Sequence, residues 1–171
     1  MTNKKYSLEW KGRIYDCVWS DETNFEDLSP VLGTRGFVFN DNKEICIVKV
    51  SKEKNWADLG GGMEDFDKTF EDCFIREVDE EADIELRDLK RLGYVKITRR
   101  GKPKSVHYQL KFVAKVKNMK PRTLDPAYNR IPEIKFVKPE EFIKYTKWSN
   151  KVDWQIKKAL DKLKENEKKS N

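Results

Sequence analysis

Three carboxylates at helical spacing, Glu77, Glu80 and Glu81, follow a run of three glycines, Gly60, Gly61 and Gly62. On a wheel of about 100° per residue, Phe70, Cys73 and Phe74 share one arc. The same arc runs on through Glu77, Glu80 and Glu81 to Ile84, while Lys68, Asp72 and Asp79 fall opposite. The acids therefore occupy the stripe that the apolar residues mark as facing the protein. Like charges held there repel one another and are costly to desolvate. A divalent cation resolves that conflict, and carboxylate oxygens on one helical face suit Mg2+ or Mn2+. A triple-glycine turn lets backbone approach an ion or ligand closely and aims amides or carbonyls at it.

The elements that must position these groups are mostly strands. Ser7 to Trp19 alternates loosely around Lys11-Gly12-Arg13 and predicts a hairpin. Residues 21–30 read as a loop. Gly36–Phe39 and Glu44–Val50 flank Asn40-Asp41-Asn42-Lys43 and predict a second, antiparallel hairpin. A helix follows from about Lys68 to Ala82. Gly93–Thr98 and the alternating Tyr108–Val116 predict a paired set of strands around the basic loop Arg99–Lys104, and Asn118–Asn129 reads as a longer loop. Glu133–Val137 is a short strand. Pro139 sits where a helix could start, and Val152, Ile156, Ala159, Leu160 and Leu163 mark an amphipathic helix at the end. A mixed sheet with helices between and after its strands is an α/β or α+β sandwich.

The 171 residues fit one domain, and 12% aromatics against 39% charged residues indicate a polar but folded chain. The net charge of +6 favours anionic ligands such as nucleotides or RNA, although much of the excess lies between Lys157 and Lys169. Cys17, Cys46 and Cys73 match no metal spacing and read as buried free thiols. The single histidine, His107, lies in an alternating strand and reads as a strand-face residue. No apolar run approaches membrane length, and no apolar signal region follows Met1–Lys5, so the expected setting is soluble and cytoplasmic.

The stretch from Gly61 and Gly62 to Ile84 resembles the Nudix box: Gly, five residues, Glu, seven residues, Arg-Glu, an apolar residue, any residue, Glu-Glu, any residue, Gly, apolar. Arg76-Glu77-Val78-Asp79-Glu80-Glu81 matches its core, and Trp56-Ala57-Asp58-Leu59-Gly60-Gly61-Gly62 looks like the family's lead-in, with Leu59 where proline is common. The chain departs from the pattern at two places. Lys68 stands where an ungapped count puts the first Glu, with Asp67 beside it if the turn holds one extra residue, and Asp83 replaces the second box glycine.

The resemblance implies an α/β/α sandwich with a mixed central sheet, a catalytic loop and helix, and a C-terminal helix. It divides the chain into an N-terminal extension (1–30) packed on the core, a Nudix-like domain (31–163) and a frayed basic tail (164–171). It implies that Glu77, Glu80 and Glu81, with a carbonyl of Gly60 or Gly61, hold Mg2+ or Mn2+, and that Arg76 orients Glu77. The catalytic set is then Arg76, Glu77, Glu80, Glu81 and, from a later loop, Glu133. Arg35, Trp56 and Arg99 are candidates to contact the substrate, with Arg100 and Lys102 as further phosphate contacts. The implied reaction is cation-dependent hydrolysis of a pyrophosphate bond in a nucleoside diphosphate linked to another moiety. The alternative is a degenerate Nudix domain that binds nucleotide or RNA without turnover. The expected partner is a nucleotide-type small molecule, acting on a monomer or homodimer. RNA has no aromatic-basic motif in this sequence to support it.

Overall fold

The structure is a computed structural model that describes residues 4–49, 56–126, 129–146 and 153–167. Its centre is a seven-stranded mixed sheet: β1 (Lys5–Trp10), β2 (Arg13–Ser20), β3 (Val31–Phe39), β4 (Ile45–Lys49), β5 (Ile84–Arg99), β6 (Val106–Met119) and β7 (Glu133–Val137), in the order β1-β2-β5-β6-β3-β4-β7. All pairings are antiparallel except β3 with β6, which run parallel from Val31↔Tyr108 to Phe39↔Lys115. Helix α1 (Phe70–Ala82) covers one face, and α2 (Phe142–Tyr145) and α3 (Asp153–Glu167) cover part of the other.

Both faces are therefore apolar. Under α1, Phe74, Val78 and Ala82 pack on Val38, Leu110, Phe112 and Ala114. The Phe74 and Phe112 rings stack with centroids 5.2 Å apart. Under α3, Ile156, Ala159 and Leu163 pack with Trp19, Phe37, Leu92 and Val113. Burying a Leu, Val or Phe side chain is worth about 1.5–3 kcal/mol, so these two layers dominate the stabilisation of the sheet. Cys17, Cys46 and Cys73 are buried free thiols within them.

Several expectations need correction. The strand expected over 93–98 begins at Ile84, and β6 runs to Met119, so part of the loop expected over 118–129 is strand. Register shifts after Glu85, Arg87 and Arg91, with Asp88 at φ 55°, break the alternation there and hide the strand from a period-two reading. Loop 21–30 contributes Phe25 to the core, fully buried against Phe70 and Phe112. The helix expected after Lys138 is a single 3-10 turn (Pro139–Glu141) followed by the one-turn α2. The expected ends at Val50 and Val152, and tail residues 168–171, lie outside the described residues.

Candidate active site

Helix α1 is fixed at both ends by short polar side chains. Thr69 caps it: its Oγ1 accepts from Asp72 N at 3.0 Å, and Asp72 Oδ2 accepts from Thr69 N at 3.1 Å. The helix thus begins at Phe70, two residues later than expected. At the other end Asp83 turns left-handed (φ 52°, ψ 44°), the conformation that the usual glycine would supply. Its buried carboxylate accepts from Thr123 N (2.9 Å) and Thr123 Oγ1 (2.5 Å) and pairs with Arg122 (2.9 Å). Arg122 in turn donates to the backbone oxygen of Glu81 (3.3 Å). The departure from the box therefore ends the helix on time and ties it to the chain leading to β7.

The glycine turn is held from the other side by β3. Thr34 N donates to Gly61 O, and Gly36 N to Leu59 O, each at 2.9 Å. Gly60 adopts φ 127°, where a Cβ would strike the Thr34 carbonyl, so no other residue fits. Gly60 N–H points back at the helix and donates to Glu81 Oε2 (2.9 Å). Gly61 lies so close to Glu77 that a Cβ there would collide with its carboxylate.

Arg76 organises the outer side. Its guanidinium donates to Glu77 Oε1 (2.8 Å), Glu80 Oε2 (3.1 Å), both Asp67 oxygens (3.0 and 2.9 Å) and Gly62 O (2.8 Å). Hydrogen bonding to Asp67, then to Glu77, raises its pKa above the usual arginine range, and Arg76 in return holds Asp67 below the usual carboxylate range. Asp67 therefore takes the place of the carboxylate that the box pattern expects one residue later. Lys68 is exposed. The wheel needs one correction here: Val78 and Ala82 are buried with Phe74 and Glu81, whereas Glu77 and Glu80 are half-buried on the flank of that stripe, Glu77 against Gly61.

Burial raises the pKa of Glu77, and pushes that of Glu81 up to about 8. Beneath them lies a second charged group that the sequence reading missed. Asp58, 3% exposed, accepts from Arg35 Nε (3.0 Å) and from buried Lys111 Nζ (3.1 Å), and Arg35 also donates to its backbone oxygen. Burial opposes ionisation of Asp58, but Lys111 and then Arg35 hold its pKa low. Burial opposes the charge on Arg35, but Asp58 first and Glu81 second outweigh it and raise its pKa above the usual arginine range. It thus presents a cation to the acids from the sheet side, opposite Arg76. The alternation of Tyr108–Val116 carried no sign that Lys111 would be buried. The sign to look for was a central strand between two helical layers, which has no solvent side.

The remaining candidates are scattered. Glu133 opens β7, is largely exposed and pairs with Lys49 (3.2 Å). Trp56 stacks edge-on to Tyr145, with Lys135 over both rings. Arg99 ends β5 opposite Tyr15, and its Nε is buried without a hydrogen-bond partner among the described residues. Arg100 pairs with Asp16, and Lys102 is exposed. Half-buried His107 faces Ile97 across the β5–β6 ladder.

The acids nonetheless fit a hard cation: of three carboxylates on one helix, two are disfavoured as anions by burial and lie against a glycine turn that leaves room for one of them. Among the described residues no three such side chains yet converge as a finished cage. Arg76 draws Glu77 and Glu80 one way, and Gly60 holds Glu81. No described helix is long and apolar enough to cross a membrane.

Comparison with curated protein sequences finds no match. Among solved structures, the chain is similar in fold to the Bacillus subtilis pyrophosphohydrolase BsRppH, with 18% identity and a TM-score of 0.66 over 94% of this chain and 97% of that one. The NUDIX domain of Shewanella oneidensis NrtR, complexed with ADP ribose, is 15% identical with a TM-score of 0.58, covering 78% of this chain and 88% of that one. The C. elegans Ap4A hydrolase is 17% identical with a TM-score of 0.53, covering 78% and 98%. The NUDIX domain model matches residues 30–160. With the glycine turn, the Arg76 fan and the acid helix in that span, the chain belongs to the Nudix hydrolase family.

Proposed function

We propose that this protein hydrolyses a pyrophosphate bond in a nucleoside diphosphate linked to another moiety, using Mg2+ or Mn2+. The observation that carries this reading is that the glycine turn is tied to the acid helix at two points: Gly60 N–H donates to Glu81, and Arg76 bridges Gly62 O to the carboxylates of Glu77 and Glu80. Glu77, Glu80 and Glu81 would hold the cation, with a carbonyl of Gly60 or Gly61. Gly60 is preferred, because Gly61 O already accepts from Thr34 N. A bound cation would neutralise the pyrophosphate and make a water molecule a better nucleophile.

The side chains divide the remaining work. Arg76 fixes the carboxylates of Glu77 and Glu80, and Gly60 N–H fixes that of Glu81. Glu80 or Glu81 takes the water's proton, with Glu133 a more distant candidate from β7. Arg35, braced by Asp58 and in the field of the same acids, is the candidate to meet a substrate phosphate. Trp56 and Arg99 are candidates for the nucleotide portion. Binding without turnover is the competing reading. The contact between Asp67 and Arg76 favours catalysis, because the position that seemed lost to Lys68 is filled by an acid.

The test is a panel of pyrophosphate-linked nucleotides: triphosphates, a sugar nucleotide, ADP-ribose and a dinucleoside polyphosphate, each with Mg2+ or Mn2+, on wild type and Glu81→Gln. Turnover by wild type on at least one substrate, abolished in Glu81→Gln, is the expected result. Tight nucleotide binding with no turnover on any substrate would leave only the binding reading.

A further inference from the structure

The seven-stranded sheet has two edges, and β1 forms one of them; among the described residues β2 is its only strand neighbour. The hairpin with β2 fixes where its backbone groups point. Trp19 N donates to Lys4 O (2.9 Å), so these two residues are a hydrogen-bonded pair of the antiparallel ladder. Bonded and non-bonded pairs alternate along such a ladder, and the register runs unbroken from Lys5↔Val18 to Trp10↔Arg13. Lys4, Tyr6, Leu8 and Trp10 therefore direct their N–H and C=O groups at β2. The tight turn at Lys11 (φ 49°) and Gly12 (φ 70°) closes on the last of these pairs. Lys5 and Glu9 direct theirs along the outer edge.

An open edge is a template for another strand unless a proline, a bulge or a charge blunts it. β1 has no proline and no bulge. Tyr6 and Leu8 lie on the face packed by α3, and Lys5, Ser7 and Glu9 on the other. The charges there are exposed and opposite in sign, Lys5 near the start and Glu9 near the end. That placement selects a partner. A second copy related by a two-fold axis normal to the sheet runs antiparallel and keeps the two faces matched. Centred on Lys5 or Glu9, such a pairing sets like charges together. Centred on Tyr6 or Leu8, it leaves a charge facing Ser7. Centred on Ser7, it sets each Lys5 against Glu9 of the other copy and each Tyr6 against Leu8. The Ser7 hydroxyl, already engaged with Asp16 and Arg100, is not needed for it.

We propose that β1 pairs antiparallel with β1 of a second copy of this chain, in the register Lys5↔Glu9 and Tyr6↔Leu8, so that two sheets become one. Lys5 and Glu9 exchange backbone N–H···O bonds across the new ladder, and their side chains meet as ion pairs. Tyr6 and Leu8, partly buried at the α3 face, form the non-bonded pairs, whose side chains approach most closely. Trp10, 56% exposed, comes opposite Lys4 of the second copy. A contact of one short strand is small, so the dimer is reversible and of micromolar class. The pairing is independent of the hydrolase reading. β1 lies four strands from β3, which holds the glycine turn, roughly 19 Å away at the usual strand spacing.

Sedimentation equilibrium on the full chain tests the pairing, with circular dichroism on each variant to confirm folding. Wild type should form a concentration-dependent dimer. Lys5→Glu and Glu9→Lys should each weaken it roughly tenfold, because each turns two attractive cross-strand pairs into two repulsive ones. The double variant Lys5→Glu/Glu9→Lys should restore it. Mixing the two single variants should do the same, since both combinations set opposite charges face to face again. By NMR, exchange of the Lys5 and Glu9 amides should slow as concentration rises in wild type and not in Lys5→Glu. None of these measurements needs a substrate, so failure of the hydrolase reading leaves them standing. A wild-type chain that stays monomeric up to millimolar concentration would overturn the proposal and leave the edge to a strand of some other protein. A dimer indifferent to both reversals assembles elsewhere and would overturn it too. So would a weakening that neither the double variant nor the mixture repairs.

Discussion

Asp58 and Glu81 are both buried carboxylates held against the same glycine turn, and they end in opposite states. Asp58 lies between Arg35 and Lys111, and those cations outweigh the cost of burying its charge. Glu81 receives one backbone N–H, from Gly60, and only the more distant field of Arg35, so burial wins and its pKa rises to about 8. The difference lies in the partners, not the depth. One acid is built to stay charged inside the protein, and the other to be completed by something from outside it. The same contrast separates Arg35, locked on Asp58, from Arg76, spread over three carboxylates at the rim.

Substitutions can break this contrast at either end. The largest effect is expected from Glu81→Gln, which should reduce kcat by about 10²–10⁴-fold while leaving the folded state at least as stable near neutral pH. Steady-state kinetics and denaturant unfolding on the same preparation would check it. Asp58→Ala comes next: it leaves two buried cations unbalanced and should cost about 3–5 kcal/mol of stability, read from the denaturant midpoint.

The pH dependence sharpens the contrast. A carboxyl whose pKa is raised on folding binds more protons folded than unfolded between its ordinary range and the raised value. With chelator present, Glu81 should make stability fall as pH rises from about 4.5 toward 8. Asp58, whose pKa is depressed, contributes stability that is present above the ordinary carboxyl range and lost on acidification. Melting curves across that window should show a decline that Glu81→Gln flattens, and saturating Mn2+ should flatten it likewise.

A smaller effect is expected from Gly61→Ala. The displaced group is the flexible end of Glu77, so stability should change by about 1 kcal/mol, while turnover falls by more than that change accounts for. Lys68→Ala should do least. Its stability should stay within about 0.5 kcal/mol of wild type and its activity unchanged, because the contact with Arg76 belongs to Asp67. Full loss of activity in Lys68→Ala would mean that the turn is read one residue out of register.

The site was legible in the chain where local rules act. The acid spacing, the glycines and the β1–β2 turn at Lys11-Gly12 depend on neighbours in sequence. What escaped depends on distant partners. Lys111 became an interior residue because β6 lies between two helical layers, which alternation along one strand does not reveal. The first nine residues of β5 escaped because bulges shift their register. Asp67 was visible only as an alternative to Lys68, because the length of the turn is set by where Thr69 begins the helix.

Asp83 has a consequence for dynamics. A glycine at that position would end α1 equally well and keep the backbone acceptor, but it would bring no carboxylate to hold Thr123. Here the backbone oxygen of Asp83 takes Lys120 N–H (2.8 Å), and its carboxylate takes the amide of Thr123. The amides of 120 and 123 can therefore exchange with solvent only when the helix terminus lets go. They should be protected from hydrogen exchange to a similar degree as the last turn of α1, so that the loop before β7 opens and closes with the helix that carries Glu81.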